Sequence, residues 1–199
     1  NAEINMLQLQ INPHFIYNTL TSVKWLVMQH ETEKSVEAIE KFSLLLRSTL
    51  KNPDEFVTIK NEAENLKNYI YILNLRFGDR IKTNIFVSEN CREYKIPLLL
   101  IQPFVENAFY HGFNETGTGI ISVFFNKKHD NIVIEVMDNG SGIDKPSGNI
   151  KKKDYSFGGV GISNSKERLH LIYGDNADIQ INSSKGKGTC ITITFPAEK

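Results

Sequence analysis

Apolar residues in the first fifty positions recur at three- and four-residue spacing: Ile4, Leu7 and Ile11, then Leu20, Val23 and Val27 beyond Pro13. That is the period of a helix with one buried face. A second stretch with the same period carries Val36, Ile39, Phe42, Leu45, Leu46 and Thr49. Between them, His30-Glu31-Thr32-Glu33 predicts a short turn with Thr32 as the N-cap of the second helix. Two amphipathic helices so joined form a hairpin. About 50 residues of hairpin cannot bury both faces alone, so two copies are expected to pair into a four-helix bundle. Lys51-Asn52-Pro53-Asp54-Glu55 ends the pattern, because proline disfavours helix before it and its neighbours favour turns. The chain is therefore expected to divide into a helical hairpin at 1–54 and a second domain at 55–199.

Beyond the break the pattern is mixed. Residues 59–77 predict a helix with Leu66, Tyr69, Ile70 and Leu73 on one face, stopped by Gly78. A strand near Ile81–Val87 and a helix from about Pro97 to His111, with Gly112 as its stop, come next. Two strands of period two follow, Ile120–Asn126 and Ile132–Asp138; in the second, Ile132, Ile134 and Val136 share a face. A Gly-rich loop leads to a helix at about Val160–Tyr173, and the last strands lie near Ile179–Ser183 and Cys190–Phe195. Helices set apart from a mostly antiparallel sheet predict an α+β fold, a two-layer sandwich following the helical hairpin.

Composition narrows the function classes. Among 199 residues, Lys+Arg and Asp+Glu are 23 each, and the zero net charge argues against a general nucleic-acid binder. No run of about 18 apolar residues crosses a membrane. Asn1-Ala2-Glu3 shows no leader and enters a helical pattern directly, so the chain is expected to be cut from a longer protein. Cys91 and Cys190 lack metal spacing and are expected to be reduced thiols.

Four clusters carry candidate chemistry. In Ile101-Gln102-Pro103-Phe104-Val105-Glu106-Asn107-Ala108-Phe109-Tyr110-His111-Gly112, Asn107 and His111 share a helical face, with Glu106 beside them. An amide and a carboxylate side by side suit a hydrated Mg²⁺ on a nucleotide, though a solvated helix end has the same look. Asp138-Asn139-Gly140-Ser141-Gly142 follows a strand: the carboxylate can accept from an exocyclic amine while glycines admit an aromatic ring, and an ordinary hairpin turn is the other reading. Gly158-Gly159-Val160-Gly161-Ile162-Ser163-Asn164 opens a helix with backbone N–H groups available to phosphate. The polar loop before it, 143–157, with Lys151-Lys152-Lys153, has the length of a lid. Lys185-Gly186-Lys187-Gly188-Thr189 turns into the last strand. Walker A and protein-kinase signatures are absent from the sequence.

Their order resembles the ATP site of the GHKL, or Bergerat-fold, family over roughly residues 58–196. The resemblance implies that Asp138 binds the adenine amine and Asn107 holds Mg²⁺ with help from Glu106. It also implies that His111, Gly140, Gly142, Gly159, Gly161 and Thr189 lie at the ATP. Upstream, Gln10-Ile11-Asn12-Pro13-His14-Phe15-Ile16-Tyr17-Asn18 is similar to the signature of LytS/YesM-type sensor histidine kinases. So are Gln102-Pro103-Phe104-Val105-Glu106-Asn107-Ala108 and the run from Gly161 through Glu167-Arg168-Leu169. Pro13 should kink or open the helix before His14, whose imidazole is nucleophilic when neutral.

This second resemblance implies Mg-ATP-dependent autophosphorylation on His14, with Asn18 one turn later near the chemistry. A homodimer through the N-terminal helices and a response regulator receiver domain as phosphoryl acceptor are implied with it. So is a cytoplasmic location behind a bacterial membrane anchor. Many histidine kinases carry an acid directly after the phosphorylated histidine; here it is Phe15, and no general base is named. GHKL hydrolases place a water-activating Glu where this chain has Pro103, which favours transfer over hydrolysis. A GHKL-type ATPase and a nucleotide-binding scaffold without kinase activity are the competing readings. The hinge is expected near 51–55, and whether transfer is within or between chains is left open.

Overall fold

The structure is a computed structural model that describes residues 13–49, 55–78, 80–113, 117–142 and 159–198. Helix α1 (Pro13–Met28) and helix α2 (Thr32–Thr49) form the hairpin. The turn closes through bonds from the Glu31 amide to the Leu26 carbonyl and from the His30 amide to the Val27 carbonyl, both 3.0 Å. His30 takes the left-handed conformation at φ 61°, so the closure is a Schellman motif with His where Gly is usual. Thr32 is the first helical residue rather than the cap; the Glu31 carbonyl takes the Ser35 amide at 2.9 Å and the Ser35 hydroxyl at 2.8 Å. The expected kink before His14 and residues 51–54 of the expected break lie outside the described residues.

Strand β1 (Phe56–Thr58) leads into helix α3 (Ile59–Phe77). The Thr58 side chain caps it by accepting from the Asn61 amide at 3.2 Å, and Gly78, at φ 70°, ends it with its amide on the Asn74 carbonyl. Leu66, Tyr69, Ile70 and Leu73 are buried as their spacing predicts. Strand β2 (Ile81–Val87) and strand β3 (Lys95–Pro97) follow. Helix α4 (Gln102–Asn107) then runs into one π-helical turn, Ala108–Gly112. Strands β4 (Gly119–Lys128) and β5 (Asn131–Asp138), helix α5 (Gly159–Tyr173), and strands β6 (Asp178–Ser184) and β7 (Gly188–Pro196) complete the described elements.

The five-stranded sheet has the order β2-β4-β5-β7-β6, with β2 parallel to β4 and every other pair antiparallel. Ile121, Val123 and Phe125 of β4, Ile132, Ile134 and Val136 of β5, and Ile191, Ile193 and Phe195 of β7 are buried on one face. Their core continues into Leu66, Phe104, Phe109 and Leu169 of the helices, and through Phe42 and Leu45 into α2. β1 and β3 form a separate antiparallel pair that the pattern did not predict.

One boundary needs correction. The helix expected from Pro97 starts five residues later, because Pro97 belongs to β3 and Leu99 is turned into the left-handed region at φ 57°. The cause is a carboxylate from α3, described below.

Candidate active site

The centre of the site is the end of β5. Asp138 stands in register with Thr189 of β7, which in turn faces Ser183 of β6. One Asp138 carboxylate oxygen accepts from the Gly140 amide at 2.9 Å and from the Thr189 amide at 3.3 Å. Burial pushes this acid above the usual carboxylate range, and the bonds from Gly140 and Thr189 oppose the rise. The Thr189 hydroxyl lies 3.0 Å from that of Ser183. The loop then passes so close to the end of α4 that a Cβ on Gly140 would lie 2.0 Å from the Gly112 carbonyl oxygen. The Ser141 amide binds that same carbonyl at 2.7 Å. Gly142, at φ 59°, backs onto the Ser184 carbonyl, where a Cβ would meet oxygen at 2.0 Å. Asp138, Gly140, Gly142 and Thr189 are thus one constellation, with Gly112 and Ser183 as members that motif spacing missed.

Helix α4 and its π turn end beside Asp138, at Gly112. Phe104, Val105, Ala108 and Phe109 are buried, leaving Glu106 and Asn107 half-buried and His111 exposed. A π turn directly after Asn107 widens the helix there, a distortion common at functional sites. Glu106 and Asn107 diverge by about 100° around the axis. Burial raises the pKa of Glu106, and the nearby hydroxyl of buried Tyr69 opposes the rise. Gly161 of α5 packs on Pro103, where a Cβ would lie 3.1 Å from the Pro103 Cβ. The helix that opens at Gly159 therefore abuts the Asn107 helix. The loop 143–158, with its lysines, lies outside the described residues.

On the other side of α3 stands α1, in which position 14 is one turn before half-buried Asn18. The Phe15 ring centroid is 5.0 Å from that of Tyr69 and 6.3 Å from that of Phe42. Tyr69 therefore touches the α1 residue next to His14 and lies near the carboxylate next to Asn107. A groove beside it is lined by Asn18, Thr19 and Ser22 of α1, Arg76 of α3 and Tyr110 of the π turn, among others.

Two family profiles cover the chain. That of the histidine kinase region matches residues 2–81, and that of the histidine kinase-, DNA gyrase B-, and HSP90-like ATPases matches residues 95–199. The chain belongs to the family of histidine kinase-, DNA gyrase B-, and HSP90-like ATPases. Sensor histidine kinase YesM of Bacillus subtilis is 34% identical over 98% of the chain, and sensor histidine kinase BtsS of Escherichia coli is 30% identical over 98%. Sensor protein LytS of Oceanobacillus iheyensis is 30% identical over 98%. The chain spans about a third of these relatives, 33%, 33% and 34% of their lengths. Two solved structures share the fold. The blue-light activated histidine kinase domain of Erythrobacter litoralis has a TM-score of 0.55 at 17% identity, over 96% of this chain and 92% of that one. Histidine kinase AdeS of Acinetobacter baumannii has 0.54 at 14%, over 98% and 95%.

A further buried group shapes the chain ahead of α4. Glu62 of α3 is 1% exposed, and its carboxylate takes the amides of Leu99 at 2.9 Å and Ile101 at 3.2 Å. Those bonds bend the chain ahead of α4, which accounts for the left-handed Leu99. Arg168 of α5 donates to the Leu98 carbonyl of the same bend at 2.6 Å. Desolvation raises the Glu62 pKa to about 7 despite these amides and the Arg168 charge. In the sequence Glu62 is one acid on an amphipathic helix; only a long-range contact distinguishes it.

Proposed function

We propose that the chain is the catalytic part of a two-component sensor histidine kinase, which binds Mg-ATP and phosphorylates its own His14. The observation that carries the reading is the union of Asp138, Thr189 and the Gly140–Gly142 loop at one sheet edge, with α1 docked to the same body through Phe15 on Tyr69. Asp138 keeps one oxygen for its two backbone amides and offers the carboxylate to the adenine amine. Thr189 hydrogen-bonds the base side, Gly142 lets backbone approach the ring, and the α5 opening at Gly159 and Gly161 faces phosphate oxygens. His111 stands at the same helix end.

The donor set suits magnesium, which takes oxygen ligands and keeps most of its shell as water and phosphate. Asn107 would hold the ion by its amide oxygen and Glu106 would orient its shell; the ion would supply neutralisation of phosphate charge. His14 attacks with a ring-nitrogen lone pair. An N–P bond forms to the γ-phosphorus while its bond to the β,γ-bridging oxygen breaks, and the electron pair leaves with ADP. The proton on the other ring nitrogen passes to water. Such transfer is mainly positioning and electrostatics, and Asn18 borders the reacting histidine.

We assign residues 1–54 to dimerisation and phosphotransfer and 55–199 to ATP binding, with movement about 51–55. Exposed apolar side chains along the hairpin support a homodimer through α1 and α2. A response regulator receiver domain then takes the phosphoryl group onto an aspartate. The relatives' greater length supports a cytoplasmic segment of a membrane-anchored bacterial protein; among the described residues no helix is long and apolar enough to cross a membrane.

The test is incubation with γ-labelled ATP and Mg²⁺ beside His14→Ala. Acid-labile, base-stable label that the substitution removes is expected. Label that survives in His14→Ala moves the acceptor elsewhere.

A further inference from the structure

Helix α3 meets both helices of the hairpin. Against α2, Phe42 and Leu45 join the common core while the Tyr71 hydroxyl donates to Glu37 at 2.9 Å. Toward its C-terminal end, α3 meets α1 across a groove that combines apolar Phe15, Ile72 and Leu73 with Asn18, Arg76 and Tyr110. Among the described residues lining it, Arg76 is the charged one.

The position of Arg76 relates it to both ends of the reaction. On the ATP side, its guanidinium donates to the Tyr110 hydroxyl at 2.7 Å, and Tyr110 is three residues, under one turn, after Asn107. Its charge centre lies 5.2 Å from the Tyr110 ring centroid and 5.3 Å from that of Phe77, so the planar fork rests against both rings. On the hairpin side it shares the groove with Asn18, one turn after position 14. At about 100° per residue, Phe15, Asn18, Thr19 and Ser22 lie on one α1 face, and position 14 falls about 40° from Asn18 at its edge. Arg76 is exposed, so its remaining N–H donors can reach a ligand entering along that edge.

A phosphoryl group moving from ATP to an imidazole carries its charge on three equatorial oxygens and needs a cation near the acceptor as well as near the donor. A guanidinium matches two of those oxygens at once. We propose that Arg76 is that cation: it contacts the phosphoryl group as it reaches His14 and in phospho-His14, with Tyr110 and Phe77 holding it in place. The inference rests on the kinase reading above and adds a catalytic residue to it.

The experiment compares the wild-type chain with Arg76→Ala, Arg76→Lys and Tyr110→Phe. Rates of label transfer at saturating ATP, affinity for trinitrophenyl-ATP and thermal midpoints are measured on each. Expected is a fall of roughly 100-fold in rate for Arg76→Ala, partial recovery in Arg76→Lys, and unchanged nucleotide affinity and midpoint. A rate indistinguishable from wild type overturns the proposal, and so does a rate loss matched by an equal loss of nucleotide affinity. Absence of label in the wild type would count against the kinase reading instead. Arg76 is then judged separately, by charging the chain with phosphoramidate, which phosphorylates histidines without ATP, and recording ³¹P spectra beside His14→Ala. The His14-dependent resonance should move on Arg76→Ala; an unmoved resonance overturns the proposal.

Discussion

Two carboxyls set the chemistry at the residue scale, and each has its own test. Asp138 spends one oxygen on two amides, and an asparagine carbonyl can accept both. Asp138→Asn should therefore keep the turn and the thermal midpoint. It replaces the outward acceptor by a donor that opposes the adenine amine, so trinitrophenyl-ATP affinity should fall by about 10-fold or more; retained affinity with full autophosphorylation would remove Asp138 from the site. Glu62 governs stability. Its pKa is about 7 in the fold against an ordinary value of 4.5, so between those pH values the unfolded chain gives up a proton that the folded chain keeps. The folded state then binds more protons, and stability falls as pH rises through that window, by about 3 kcal/mol once pH passes 7. Below 4.5 the group contributes nothing. Urea midpoints from pH 4 to 8 should show this decline in the wild type and lack that component in Glu62→Gln. Parallel curves for the two proteins would contradict it.

Secondary-structure elements differ in how far their sequence discloses them, and the hairpin shows both sides. Leu20, Trp25, Ile39 and Leu44 are about half exposed, at 53%, 58%, 51% and 47%, more apolar surface than two short helices leave to water without a partner. The double substitution Leu20→Glu and Ile39→Glu should raise the dimer dissociation constant at least 30-fold or so, read by sedimentation, with nucleotide affinity unchanged. A monomeric wild type would end that reading. Helix α3 was legible because its apolar period is strong and Gly78 is a local stop signal, with Thr58 capping its start, and β5 because its alternation needs no partner to be seen. α4 was not. Pro97-Leu98-Leu99-Leu100-Ile101 is an apolar run that continues a helical pattern, and it is bent by Glu62, a side chain nearly forty residues earlier. β1 and β3 span three residues each, too few to show a period. The site divides in the same way. Asp138, Gly140, Gly142 and Thr189 stand in turns whose chemistry is written locally, whereas Tyr69, Arg76 and Glu62 look like ordinary helix residues until tertiary contacts give them neighbours.

At the scale of the whole molecule, the open question is whose histidine each ATP site serves. In this structure the link from α1 to the body that carries Asp138 is made within one chain: Phe15 packs near Tyr69, and Arg76 bonds Tyr110 while lining the same groove as Asn18. A second chain in a four-helix bundle would have to displace α1 from this seat to present its own histidine. The contacts that would be lost include the Phe15–Tyr69 aromatic pair, worth about 0.5–1.5 kcal/mol beyond simple burial, before any replacement forms. Transfer is therefore expected within the chain. His14→Ala retains an ATP site without an acceptor, and Asp138→Asn retains the acceptor with a crippled ATP site. When the two are unfolded together, refolded as mixed dimers and given labelled ATP, transfer within the chain leaves both species near background. Transfer across the dimer would place label on the Asp138→Asn chain. That outcome would mean that α1 leaves Tyr69 during turnover and that the docked arrangement is a resting state, so Phe15→Ala would then accelerate the reaction rather than slow it.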